Sequence, residues 1–210
     1  MRLVFALLLL VTTTTLARTQ PPPKPIDKTP KPRYGVAVKL KTYPQDTPRK
    51  ALVSAVDAVE KGDTAYLVAH LLDPGFVDLR LNDRVKQFEA NVELELSQQR
   101  DFQLANRDRF APEDRLPTDR AKFEALIQDR SRQLAFRQLI RDVEDKLLND
   151  PQAVKDLRKI MRDGVFSDEP GGSKAGHPDV KDRVLHFRKI DDRYFLENRQ
   201  DEAPKKEPGM

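Results

Sequence analysis

Few side chains in this sequence have the chemistry for acid–base or metal work. There are three histidines, His70, His177 and His186, and no cysteine. No two histidines stand at a metal-ligand spacing, and no HExxH motif occurs. The lack of cysteine removes thiolate nucleophiles, redox pairs and cysteine metal sites from consideration. The sequence also lacks GxSxG, GxGxxG, a complete phosphate loop and an EF-hand loop. Gly171-Gly172-Ser173-Lys174 resembles the end of a phosphate loop in letters only, without the strand before it and the helix after it. No cofactor or metal is expected. His70 is the histidine best placed for chemistry. It follows Tyr66 by four residues, which puts both on one face of a helix, and Asp73 and Asp78 lie close by in sequence. A histidine with carboxylate neighbours can act as a general base near neutral pH. Tyr66, His70 and Asp78 are therefore the candidate catalytic residues. The plainer reading, which we prefer, makes His70 a half-buried residue of an amphipathic helix. His177 sits in a Gly-His-Pro loop, and His186 reads as a cross-strand partner of Glu197.

The elements that must carry these residues follow from spacing and punctuation. Tyr34, Val36, Val38 and Leu40 alternate with Gly35, Ala37, Lys39 and Lys41, which predicts a half-buried strand over 34–41. Thr47 and Pro48 open a helix as cap and first residue. Leu52, Val56 and Val59 line it, and Gly62 ends it. Asp63 caps a second helix over 64–72, which Asp73-Pro74-Gly75 closes. A short strand follows at 76–81. Val85, Phe88, Val92 and Leu96 form the stripe of a helix from Asn82 to about Arg109. Residues 109–117 connect it to a long helix capped by Thr118, with Phe123, Ile127, Leu134, Ile140, Val143 and Leu147 on its apolar side. Asn149-Asp150-Pro151 breaks that helix and caps the next, which carries Val154, Leu157, Ile160 and Met161 and stops at Gly164. These last two helices are expected to pack together as a hairpin. Residues 167–179 read as a loop. Residues 183–199 read as a β-hairpin turning at Asp191-Asp192. Its register pairs Phe187 with Leu196, Lys189 with Tyr194, His186 with Glu197 and Arg188 with Phe195.

Both ends read differently. Met1-Arg2 precedes an uncharged stretch from Leu3 to Ala17, with small residues at Thr15 and Ala17. This is the three-part pattern of a secretory signal, cut after Ala17. At 15 residues the stretch is shorter than the roughly 20 a membrane-spanning helix needs. Without a cysteine there is no lipoprotein anchor. The location implied is periplasmic or extracellular, with no transmembrane anchor after cleavage. Residues 18–33 contain six prolines and read as an extended, disordered Pro/Lys-rich linker. Residues 201–210 read as a disordered tail. The formal net charge of +4 lies mostly in the N-terminal linker region, since residues 18–50 carry nine Lys/Arg against two Asp/Glu. This excess allows a weak contact of residues 18–33 with an anionic surface. Beyond it the two signs are interspersed, as at Asp129-Arg130-Ser131-Arg132, which describes a solvated helical surface rather than a nucleic-acid face. No specific nucleic acid is expected as a partner.

Two stretches resemble the nuclear transport factor 2-like superfamily, a cone-shaped α+β fold. Thr47–Val77 is similar to its opening helix pair, with Gly62-Asp63 as the turn. Leu185–Asn198 is similar to the closing strand pair of small exported members. The resemblance implies that the helical region 82–164 is an insertion into the cone. That superfamily has no shared catalytic motif and includes many binding or accessory domains, so it implies no catalytic residue here. The reading as a whole is a single helix-dominated α+β domain over 34–200. A small antiparallel sheet packs on an N-terminal helix pair, and a long helical hairpin is inserted over 82–164. The function expected is that of an exported soluble binding or accessory protein of the cell envelope, acting on an unknown protein or envelope component. The alternative is a small-molecule enzyme with a pocket near Tyr66, His70 and Asp78.

Overall fold

The computed structural model describes residues 30–199, apart from the side chains of residues 181 and 182. The signal segment 1–17, most of the linker 18–33 and the tail 201–210 lie outside the described residues. From Lys31 onward the described chain belongs to one compact unit. It is a helix-dominated α+β fold with a four-stranded antiparallel sheet in the order β1-β2-β3-β4.

Helix α1 spans Pro48–Glu60, where Thr47 Oγ1 accepts the Lys50 N–H at 3.2 Å and Pro48 fills the first turn. Its buried face divides between two clusters. Ala51, Leu52 and Val56 pack with Ile160, Ala175 and Phe187, while Ala55 and Ala58 pack with Tyr43, Tyr66 and Leu71. The second helix begins as α2 at Thr64–Tyr66 and then loosens into a π turn over Leu67–Leu71, closed by Leu72 N–H on Leu67 O at 3.0 Å. Asp63 does not cap it with its side chain. Its carboxylate takes Lys39 Nζ at 2.7 Å and the Tyr43 hydroxyl at 3.2 Å instead.

The strand expected over 34–41 is absent. Tyr34 and Gly35 both have positive φ, 53° and 81°, and make a tight turn in which Arg33 and Val36 exchange backbone hydrogen bonds. The alternation seen in the sequence is real as burial, because Tyr34, Val36 and Val38 face inward, but no ladder accompanies it. The strand expected over 76–81 is also absent. Asp73 Oδ2 accepts the Phe76 N–H at 3.2 Å and Pro74 takes the first turn, so Asp73-Pro74-Gly75 opens helix α3, Pro74–Ala105, rather than only closing its predecessor. Buried Val77, Leu81 and Val85 keep the spacing of four that continues the helix.

Helix α4 spans Arg120–Asn149 and is capped by Asp119, one residue beyond the expected Thr118. It pairs antiparallel with α3. Phe123 and Ile127 meet Val92 and Leu96 at one end, and Ala135, Phe136 and Leu139 meet Leu81 and Val85 at the other. The hairpin is thus α3 with α4, not α4 with the helix after it. Asp150 caps α5, Pro151–Asp163, accepting the Ala153 N–H at 2.9 Å. The break at Asp150-Pro151 turns α5 away, and its Ile160 packs on α1 and the sheet.

The expected loop at 167–179 is two strands. Strands β1, Val165–Glu169, and β2, Gly172–His177, pair through Glu169↔Gly172, with Pro170 and Gly171 as the turn and Gly171 at φ 80°. Strand β3, Val180–Ile190, pairs with β4, Arg193–Glu197, in the register read from the sequence. Asp191 takes the positive φ, 53°, that its turn demands. The outer edge of β4 is sealed by other parts of the chain. Tyr194 N–H donates to Gln45 O at 2.8 Å, and Asp73 N–H donates to Leu196 O at 2.8 Å.

Candidate functional site

The sequence candidates separate in space. His70 lies in the π turn and is 2% exposed. Its Nε2 is 2.9 Å from the Val36 carbonyl oxygen, and its ring lies 4.9 Å from that of Tyr66. Burial pushes its pKa below the ordinary histidine value, so the ring is neutral near pH 7 and Nε2 donates. Tyr66 is fully buried, and its hydroxyl accepts the Lys39 N–H at 3.2 Å. Asp78 lies one turn into α3 with its carboxylate at the surface. It bonds to Arg33 and to Tyr34 rather than to His70. His186 does lie opposite Glu197, but its Nδ1 is 3.3 Å from Glu169 Oε2. Glu169 also holds Lys174 and Arg199, and its carboxyl is kept below the usual range chiefly by Lys174. His177 Nδ1 accepts the Asp179 N–H at 3.1 Å within the β2–β3 connection. Among the described residues no cluster of three or more His, Asp or Glu is disposed to hold a metal ion. No described helix is long and apolar enough to cross a membrane.

A recess of about 630 Å³ opens between the Arg33–Val36 turn, the start of α3 and the middle of α4. Of the three sequence candidates only Asp78 lines it; Tyr34, Phe136, Arg132 and Arg137 do so as well. The recess owes its shape to the strained turn. Positive φ at Tyr34 and Gly35 throws the Tyr34 ring across to Phe136, with centroids 4.8 Å apart, and makes an aromatic wall. Arg33 fixes the turn to the body of the protein. It bonds the Ala69 carbonyl at 3.3 Å, the Tyr34 hydroxyl at 3.0 Å and Asp78 at 2.6 Å. Burial, reinforced by the hydrogen bond to Asp78, pushes the Tyr34 phenol up to about 12.

Arg132 and Arg137 supply the electrostatics. They lie five residues apart on α4, flanking Phe136 in the recess wall, and neither makes an ion pair among the described residues. Asp129, also in the wall, accepts a hydrogen bond from Gln133 at 2.8 Å. Arg33 is matched by Asp78, so the guanidinium groups outnumber the carboxylates lining the recess. These α4 residues escaped the sequence reading because their stretch alternates in sign. The usable signal was positional, since Asp129, Gln133, Phe136 and Arg137 recur at helical spacing and share a face. Set against protein-family models, curated proteins and solved structures, the chain matches none of them.

Proposed function

We propose that this chain is an exported, non-enzymatic binding or accessory protein of the cell envelope. In this reading the recess beside Tyr34 takes an anionic ligand with a flat apolar body. The observation that carries it is the pair Arg132 and Arg137, two guanidinium groups without carboxylate partners among the described residues, flanking an aromatic wall. A guanidinium presents donors in the planar fork that carboxylate and phosphate groups match. Tyr34, half-buried and backed by the buried Phe136 ring, offers a ring for stacking. The groups with acid–base chemistry there are already engaged: Asp78 is held by Arg33 and Tyr34, and the phenol is kept protonated. The enzyme alternative centred on Tyr66, His70 and Asp78 would need His70 to reach a substrate, whereas its ring is buried against the Val36 carbonyl. The signal pattern over residues 1–17 supports export, and residues 18–32, ahead of the anchored Arg33, then serve as a spacer able to touch an anionic surface. Kinship with the cone-shaped nuclear transport factor 2-like fold is part of the same proposal. It is supported by Leu72 bridging to Leu196, which joins the opening helices to the closing strand pair.

Calorimetric titration with benzoate, phenyl phosphate and benzyl alcohol tests the site. Binding of the two anions, and its loss by at least tenfold in the Arg132→Ala/Arg137→Ala double variant, is the expected result. Equal binding of the alcohol, or an unaffected double variant, would sink it. Export is tested separately, by whether the secreted protein begins at Arg18.

A further inference from the structure

The two edges of the sheet are finished differently. The β4 edge is bonded to Gln45 and Asp73. At the other edge β1 makes backbone bonds only toward β2 among the described residues, and most of its residues are exposed. In an antiparallel pair successive residues direct their backbone groups inward and outward in turn. Glu169↔Gly172 closes the β1–β2 hairpin, so Val165, Ser167 and Glu169 bond inward. Phe166 and Asp168 are left with their N–H and C=O groups pointing outward. Open edges of this kind are templates for another strand.

The charges at this edge indicate which strand. On the face shared by Phe166 and Asp168, the Arg49 guanidinium lies 4.5 Å from the centre of the Phe166 ring. Arg49 is held there by the carbonyls of Met161 and Gly164, at 2.7 and 3.1 Å. It has no carboxylate partner among the described residues, and Asp168 has no cation. One unmatched charge of each sign therefore lies near either end of one short strand, on the same face. A two-fold axis through Ser167 sets Phe166 opposite Asp168 of the partner subunit, and Asp168 opposite the partner's Phe166. Each Asp168 carboxylate then meets the guanidinium stacked on the opposing Phe166. The outward backbone groups pair in the same register. No like charges fall opposite one another, since Val165 faces Glu169 and Ser167 faces its own copy.

We propose that β1 is the seam of a homodimer, in which β1 pairs antiparallel with β1 of a second copy about Ser167 and joins two sheets of four strands into one. This interface is independent of the recess beside Tyr34, and neither reading requires the other.

The test is sedimentation velocity on the full chain over a concentration series, together with single-cysteine variants of this cysteine-free protein. The wild-type chain is expected to sediment as a dimer that weakens with salt. Asp168→Pro removes one outward N–H and the carboxylate while sparing the bonds to β2, and should weaken the dimer at least tenfold. Asp168→Lys keeps the backbone groups but opposes Arg49, and should do the same, with circular dichroism confirming that both variants fold. In the proposed register Ser167 faces Ser167 as a non-hydrogen-bonded pair, about 4.5 Å between Cα atoms. That is within the roughly 4.4–6.8 Å a disulfide spans. Ser167→Cys should therefore form a disulfide-linked dimer on mild oxidation. Val165→Cys should not, because the two copies of residue 165 lie about 13 Å apart. A monomer at every concentration, a dimer indifferent to both Asp168 variants, or equal cross-linking at residues 165 and 167 would overturn the proposal.

Discussion

Tyr34 holds a backbone conformation that its side chain makes costly. A φ of 53° is in the left-handed region, which costs a residue with a Cβ about 1–2 kcal/mol. The compensation is local: the ring packs on Phe136, and the hydroxyl reaches Asp78 and Arg33. The same contacts keep the phenol protonated to about pH 12, against an ordinary value of 10.0. The stabilisation tied to the neutral phenol is complete below pH 10 and is lost as pH climbs toward that folded value. Because burial also raises Tyr43 and Tyr66, ultraviolet titration should show high-pH tyrosine absorbance that loses one phenol's amplitude in Tyr34→Phe; an unchanged amplitude would assign that step elsewhere. Gly35 isolates the backbone part of the turn. A Cβ added there meets nothing within 4 Å, yet φ is 81°. Gly35→Ala should thus cost about 1 kcal/mol through conformation alone. Urea denaturation measures it, and a neutral result would mean that the turn relaxes freely.

At the scale of elements, the α3–α4 hairpin shows what sequence patterning conveys and what it leaves out. The stripe of Val85, Val92 and Leu96 was legible because it repeats at helical spacing, and so was the cap at Asp150 before Pro151. The choice of partner helix was not, because the apolar side of α4 suits either neighbour. Only the turn of the chain at Asp150-Pro151 decides that α3 covers it. Asp73-Pro74-Gly75 was misread because one set of residues can both end a helix and start the next. Strands β1 and β2 were hidden by Gly171, Gly172 and Gly176, residues read as loop punctuation, of which Gly171 here serves a tight turn and Gly172 close packing against the Phe187 backbone. The site was legible only in part. Asp78 was singled out for its nearness to His70 in sequence, but Tyr34 reaches it through a turn that no local pattern announces. The hairpin also carries a polar defect. Ser131 is wholly buried, and its Oγ has no hydrogen-bond partner among the described residues. A buried hydroxyl left unpaired costs roughly 1–3 kcal/mol. Ser131→Ala should therefore raise the thermal midpoint, whereas a drop would reveal a bond or a bound water at that hydroxyl.

Over the whole molecule, His70 lies where the N-terminal turn, the helices and the sheet are tied together. Its Nε2 donates to Val36 O, and its own carbonyl accepts Gln45 Nε2 at 2.8 Å. The same amide reaches Tyr194 O at 3.1 Å, and Gln45 O receives the Tyr194 N–H. Protonation of this ring would leave a charge buried in the junction, and its lowered pKa expresses that penalty. The folded pKa lies below the ordinary value of 6.5, so the contribution is fully present above pH 6.5 and is lost as pH falls toward the folded value. Over that window the unfolded chain binds more proton than the folded chain. The slope of stability against pH from this one group is therefore positive and bounded by the one-proton limit of about 1.4 kcal/mol per pH unit. Asp150 and Asp179 titrate below the usual carboxylate range, held there first by Arg183 and Lys159 respectively, and add little above pH 5. Urea midpoints from pH 5 to 8 should rise with pH in the wild-type chain. In His70→Gln, which keeps a donor for Val36 O but cannot titrate, the rise should be flatter by up to that one-proton slope. His177 and His186 are common to both proteins and cancel in the difference. Parallel curves would show that His70 takes up a proton without disturbing the junction, and would return it to the list of groups free to do chemistry.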